Sequence, residues 1–119
     1  MFESNFDKAK NRVYVKLEGT MTIEEAKHYD KVVRSQIDKA QEDFTFCIDM
    51  INAQPAPAEV NDYLTSLREY MASKKVKGSA LVTNNSVTRL QLRRLSKDLG
   101  GKSKIVLDYS EAEEFLDSL

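Results

Sequence analysis

A single-domain α/β fold, with a mostly parallel five-stranded sheet and helices packed on it, is predicted by three observations. Short apolar runs alternate with helical periodicities along the chain. The first two strand patterns are joined by a tight polar turn, so they close a hairpin. Every later pair of strands is separated by a helix-length segment, and the right-handed crossover rule makes such strands parallel. The order is β-β-α-β-α-β-α-β-α over residues 1–119, a length that favours one domain.

The first strand is read at Asn5-Phe6-Asp7, followed by a turn at Lys8-Ala9-Lys10-Asn11. Arg12-Val13-Tyr14-Val15-Lys16-Leu17-Glu18 alternates with period two and Gly19 ends it, which describes a half-buried strand. Thr22-Ile23-Glu24-Glu25 is a capping box that opens a helix running to about Gln41. Its apolar stripe is Ile23, Ala26, Tyr29, Val33, Ile37 and Ala40. Phe44–Asp49 is a buried strand, and the loop Met50–Pro57 leads into a helix starting near Ala58. That helix has steps of three and four at Val60, Tyr63, Leu64, Leu67 and Met71. Ser79-Ala80-Leu81-Val82-Thr83 is the next strand, and Asn84-Asn85-Ser86 supplies a turn and an N-cap. A helix follows from about Val87 to Leu99, with Val87, Leu90, Leu92, Leu95 and Leu99 as its apolar set, until Gly100-Gly101 stops it. Lys104–Asp108 is the last strand, and Ser110 is positioned to cap a terminal helix holding Phe115, Leu116 and Leu119. The expected core comprises Val15, Leu17, Ile48, Leu64, Leu67, Leu81, Val82, Leu95, Val106 and Phe115.

The hydrophobic fraction of 41% and charged fraction of 31% suit a soluble globular protein. The one cysteine, Cys47, excludes an intrachain disulfide and fits a reducing compartment. The first residues lack the basic start and apolar core of a signal peptide, and no run reaches membrane-span length. The expected location is cytoplasmic, in a chain bacterial in style. Charge is segregated. Residues 70–107 carry nine basic side chains against the single acid Asp98, whereas Asp108, Glu111, Glu113, Glu114 and Asp117 close the chain.

The order of elements and three local patterns resemble the STAS-like domain family of sulfate transporters and anti-sigma-factor antagonists. Val13–Thr22 looks like the family's second strand and its glycine-containing exit into the first helix. Phe46-Cys47-Ile48-Asp49-Met50 looks like its central strand. Leu81–Val87, with Leu90 and then Leu95–Gly100, looks like its fourth strand, Asn/Ser turn and third helix. The resemblance covers nearly the whole chain. It implies a β-α superhelix with sequential strand order, and action through a protein partner or, in a related branch, through a bound lipid. The chain departs from the phosphorylation-switched members at Gln54–Glu59, which contains no Ser or Thr where they carry an Asp-Ser-Ser-Gly-like motif. Control by the usual serine phosphorylation is therefore not expected.

The residues with catalytic chemistry read more simply as structure. His28 is a solvated helix residue with only Glu24 one turn away; Cys47 is a small core residue between Phe46 and Ile48. Asp49, at a strand's carboxyl end, lacks the further carboxylates and lysine of a receiver site and is read as a cap for loop amides or for the next helix. No enzyme, metal site or cofactor is predicted. A hydrolase or transferase would have only Asp49 and His28. The expected partner surface combines Asp49, Asn52, Gln54 and Glu59 of the Met50–Glu59 loop with the basic set Arg89, Arg93, Arg94 and Lys97. Arg89, Arg93 and Lys97 recur every four residues and share a helix face. An acidic protein surface or an anionic lipid headgroup suits that face. Nucleic acid does not, since no aromatic platform interleaves the arginines. A homo-oligomer is compatible with the same surface. The alternative reading, a small-ligand or lipid-binding domain of the same fold, requires an apolar cavity between sheet and helices.

Overall fold

In a computed structural model, residues 1–95 and 100–119 are described, apart from the side chains of Gln91, Arg94 and Leu95. β1 (Phe2–Asp7) and β2 (Arg12–Gly19) form the expected antiparallel hairpin, in register from Phe2 opposite Leu17 to Asp7 opposite Arg12. β3 (Thr45–Ala53), β4 (Gly78–Val82) and β5 (Lys102–Val106) then add in parallel, giving the sequential order β1-β2-β3-β4-β5. The crossovers are α1 (Ile23–Lys39), α2 (Ala58–Ser73) and α3 (Ser86–Leu95), and α4 (Tyr109–Asp117) ends the chain.

Period-two alternation divides the sheet into two faces. Val13, Val15, Phe46, Ile48 and Leu81 pack with Tyr29, Val33 and Ile37 of α1 and with Val60, Leu67 and Met71 of α2; Leu92 of α3 joins them. On the other face Cys47, Ala80, Val82 and Val106 pack with Ala112 and Leu116 of α4. The two helices of the larger cluster are tied by polar contacts. Arg34 pairs with Asp30 at 3.0 Å and its guanidinium lies 4.8 Å from the Tyr70 ring centroid, while the Tyr70 hydroxyl donates to Asp38.

Several boundaries differ from the sequence reading. β1 begins at Phe2, because its whole length pairs with β2. β3 runs on to Ala53 through residues expected to be loop. Past a register shift between Lys16 and Glu18, Glu18 pairs with Asn52 and Gly19 with Ala53, so the ladder satisfies backbone groups that a loop would leave to water. α1 stops at Lys39. Its Thr22 hydroxyl accepts from the Glu25 N–H at 3.1 Å, but the Glu25 carboxylate pairs with the Met1 amino group rather than completing the capping box. β4 and β5 end at Val82 and Val106, earlier than expected, and Asp108 rather than Ser110 caps α4, accepting from Glu111 N–H at 2.9 Å.

The core also needs correction. Leu17, Leu64 and Phe115 are half-buried, and Tyr63 of the expected α2 stripe is exposed. On α3 the inward residues are Thr88 and Leu92, one turn apart; Val87 and Leu90 are 57% and 62% exposed. The Leu95 side chain and Leu99 lie outside the described residues. The remaining expected core residues, Val15, Ile48, Leu67, Leu81, Val82 and Val106, are buried. Before β5, Gly101 has φ +62°, and a Cβ there would lie 2.5 Å from the Val76 carbonyl oxygen, so glycine suits the position.

Candidate functional site

Parallel strands direct all their exits to one end of the sheet, so the loops after β2, β3 and β4 gather at the carboxyl edge. Gly19 turns out of β2 with φ +68° and accepts the Gln54 N–H at 2.9 Å. That bond fixes the short Gln54–Pro57 connection beside the exit of β2. α2 starts with Pro57 as N-cap, without a side-chain hydrogen bond; Glu59 supplies a carboxylate in the first turn, where the helix dipole favours it. On the neighbouring strand, Asn85 caps α3, its side-chain oxygen accepting from Val87 and Thr88 N–H at 2.9 and 3.1 Å. The Asn-Ser turn thus has the structural role expected of it.

The predicted partner residues differ in exposure, and Asp49 does not belong with the rest. Asn52, Gln54 and Glu59 are exposed near the end of β3 and the start of α2. Arg89 and Arg93 are exposed on the outer face of α3, beside Leu90. Asp49 is apart from both sets. It points to the α4 side, is only 5% exposed and accepts the Ile51 N–H at 3.0 Å. Burial first, then hydrogen bonding with Asp49, pushes the Tyr109 phenol up. The Arg94 side chain and Lys97 lie outside the described residues. Cys47 is fully buried; burial, reinforced by the charge of Glu113, pushes its thiol up to about 12, so it is not a nucleophile in this state. His28 is exposed, its ring 5.4 Å from that of Phe2.

A feature without a residue-level prediction lies beneath these loops. Between the sheet and helices α1 and α2 is a cavity of about 120 Å³. Phe46, Ile48, Leu64, Leu67 and Leu81 form much of its wall. All 4 methionines of the chain, Met1, Met21, Met50 and Met71, line it. Ala53, Gln54 and Ala56 close the β3–α2 side, and Glu18, Glu25, Asn61 and Arg68 bring polar atoms to it. Tyr29 of α1 also lines it, and burial holds its phenol neutral far above the ordinary range. A sequence signal existed in the small residues Ala53 and Ala56 and in Met50, which leave room and flexibility where larger branched residues would fill. Only the packing shows that they meet.

A second polar cluster occupies the other end of the sheet. Arg12, 3% exposed, donates to the Thr45 hydroxyl at 2.9 Å, to Glu113 at 2.5 Å and to Asp117 at 2.9 Å. The Tyr14 hydroxyl and Lys10 ammonium also donate to Glu113, at 2.6 and 3.0 Å. Burial pushes the Glu113 carboxyl up, but these hydrogen bonds and the Arg12 charge outweigh it and hold it below its ordinary value. The cluster joins α4 to β2 and β3.

An uncharacterised protein of the DUF3478 family from Shewanella loihica PV-4, described as having a SpoIIAA-like fold, superposes with TM-score 0.80 at 14% identity, over 97% of this chain and 93% of that one. The fold is SpoIIAA-like. An anti-sigma factor antagonist from Mycobacterium paratuberculosis superposes with TM-score 0.66 at 10% identity, over 98% of this chain and 95% of that one. The STAS-like architecture expected from the sequence is therefore the one adopted. No protein-family model and no curated protein sequence matches the chain. No helix among the described residues is long and apolar enough to cross a membrane.

Proposed function

We propose that this protein is a non-enzymatic regulatory or scaffolding module that binds an acidic protein partner through the carboxyl edge of its sheet. The observation that carries this reading is the outer face of α3. Val87 and Leu90 are exposed there beside Arg89 and Arg93, so apolar area and positive charge occur together. The exposed Asn52, Gln54 and Glu59 on the adjacent exit extend the surface, and the buried Asp49 is not part of it. The likeness to an anti-sigma factor antagonist supports a protein-binding role. Because Gln54–Glu59 has no hydroxyl, the module works without the serine phosphorylation of the switched relatives. The test compares affinity captures by the wild type and by Arg89→Glu/Arg93→Glu at several salt concentrations. A partner retained by the wild type, released as salt rises and lost in the variant supports the reading. Capture unchanged by both treatments overturns it.

A second reading, an apolar-ligand carrier of the same fold, is favoured by the cavity of about 120 Å³. A water needs roughly 10–15 Å³, and an apolar space of the observed size is suited to an apolar guest.

A further inference from the structure

The polar groups on the cavity wall restrict the chemistry of a guest. An engineered apolar cavity of about 150 Å³ holds benzene, so a space of about 120 Å³ takes a guest of about six carbons. Met21, Met50 and Met71 are unbranched and turn about three bonds, so the wall adapts to a flexible chain.

The charged groups of the wall are engaged within the protein. Glu18 pairs with Lys16 at 3.6 Å and Glu25 with the Met1 amino group at 2.6 Å. Arg68 donates to the Asn61 carbonyl at 3.2 Å and to the Thr65 hydroxyl at 3.5 Å. An ionised head entering this space would give up its water and meet only charges already paired, a cost that a short chain does not offset. A guest is therefore neutral.

Tyr29 differs from these groups. It lines the cavity from α1, is 5% exposed, and stands edge-on to the Phe2 ring with centroids 5.2 Å apart. Its hydroxyl makes no hydrogen bond among the described residues; the groups acting on it are charges, Arg68 and Asp30. A buried hydroxyl without a partner has lost its bonds to water and gained nothing for them. Burial keeps the proton on this phenol. A phenol's ring draws in the oxygen lone pair, so the group donates more readily than it accepts.

We propose that the cavity binds a short neutral carbonyl compound, whose oxygen accepts a hydrogen bond from the Tyr29 hydroxyl. The inference rests on the apolar-ligand reading and adds the one polar atom of the guest and its partner.

The test titrates 2-hexanone, its isostere 2-methyl-1-hexene (a CH2 in place of the carbonyl oxygen) and hexanoate into the protein, with methyl NMR of the four methionines as the site reporter. Both neutral compounds are expected to shift the Met21, Met50 and Met71 methyls, and hexanoate to leave them in place. Tyr29→Phe, which removes only the hydroxyl, should weaken 2-hexanone about fivefold, the increment of one neutral hydrogen bond, and hold 2-methyl-1-hexene within about twofold. Its melting temperature should stay level or rise, since no bond within the protein is lost. Leu64→Trp, which fills the cavity, should abolish binding of both neutral compounds. If neither neutral compound shifts the methionine methyls, or if Leu64→Trp leaves their binding intact, the apolar-ligand reading and this inference both fall. If both bind but Tyr29→Phe treats them alike, or lowers the melting temperature by several degrees, or if hexanoate binds as well as 2-hexanone, the carbonyl inference alone falls.

Discussion

At the amino end of the parallel sheet, Arg12 is buried and bonded to Thr45, Glu113 and Asp117; at the carboxyl end, short loops border the methionine-lined cavity. The same strands supply both ends. The difference shows how one small domain divides its work. The amino end specifies where α4 docks, through directional bonds that fail if any member is missing. The carboxyl end tolerates looser packing, exposes apolar side chains on α3, and leaves room for a guest or partner. The Arg12 cluster and the loops over the cavity thus sit at opposite ends of β3, a strand of 9 residues.

The largest test of this division is Arg12→Ala. Removing a buried guanidinium takes a donor from each of Thr45, Glu113 and Asp117, and breaking such a pair costs about 3 kcal/mol, somewhat less where the acids reach solvent. Urea unfolding should show that loss. A change under 1 kcal/mol would mean that the amino end is no more demanding than any surface.

Acid titration probes the same end. The Glu113 carboxyl sits below its ordinary 4.5 in the folded state, so its stabilisation is complete above pH 4.5 and is lost as pH falls through the lower folded value. Thermal melts from about pH 6 to about pH 3, across the carboxylate range, should show a steeper decline for the wild type than for Glu113→Gln. Equal slopes would remove Glu113 from the account.

The carboxyl end predicts the opposite response to added volume. Ala53→Val places two methyl groups beside the cavity, on a strand where a β-branched residue is at ease, and should raise stability by about 1 kcal/mol. A loss of similar size would show that the space is not free to accept them. The smallest effect is expected on α3. Arg89→Glu/Arg93→Glu should alter stability by less than about 0.5 kcal/mol, because both residues are exposed. A larger loss would assign the basic face to folding rather than to binding.

Local signals read well wherever a periodicity or a cap was self-sufficient. The alternation in Val13–Leu17, the Val60–Met71 spacing and the Thr22 cap each name an element, and the chain of crossovers makes the strands parallel. The β3 extension was missed because its partner, the shifted register at Glu18 and Gly19, lies on another strand. Val87 and Leu90 were misassigned to the core because helical spacing says which residues share a face, not which face meets the sheet. Asp49 was read as a cap for loop amides or the next helix, but it accepts from Ile51 N–H inside β3, and its place on the α4 side depends on pleat direction across a long strand.

By itself, then, the amino-acid order determined the α/β class, the hairpin, the sequence of elements and the absence of a hydroxyl between Gln54 and Glu59, since each depends on neighbours a few residues apart. The tertiary structure decided the Arg12 cluster and the methionine-lined cavity. Arg12 and Glu113 are 101 residues apart, and the cavity draws on residues from Met1 to Leu92. No short-range pattern encodes such meetings: they follow from how the helices settle on the two faces of one sheet, where packing and charge are resolved only after the chain has closed.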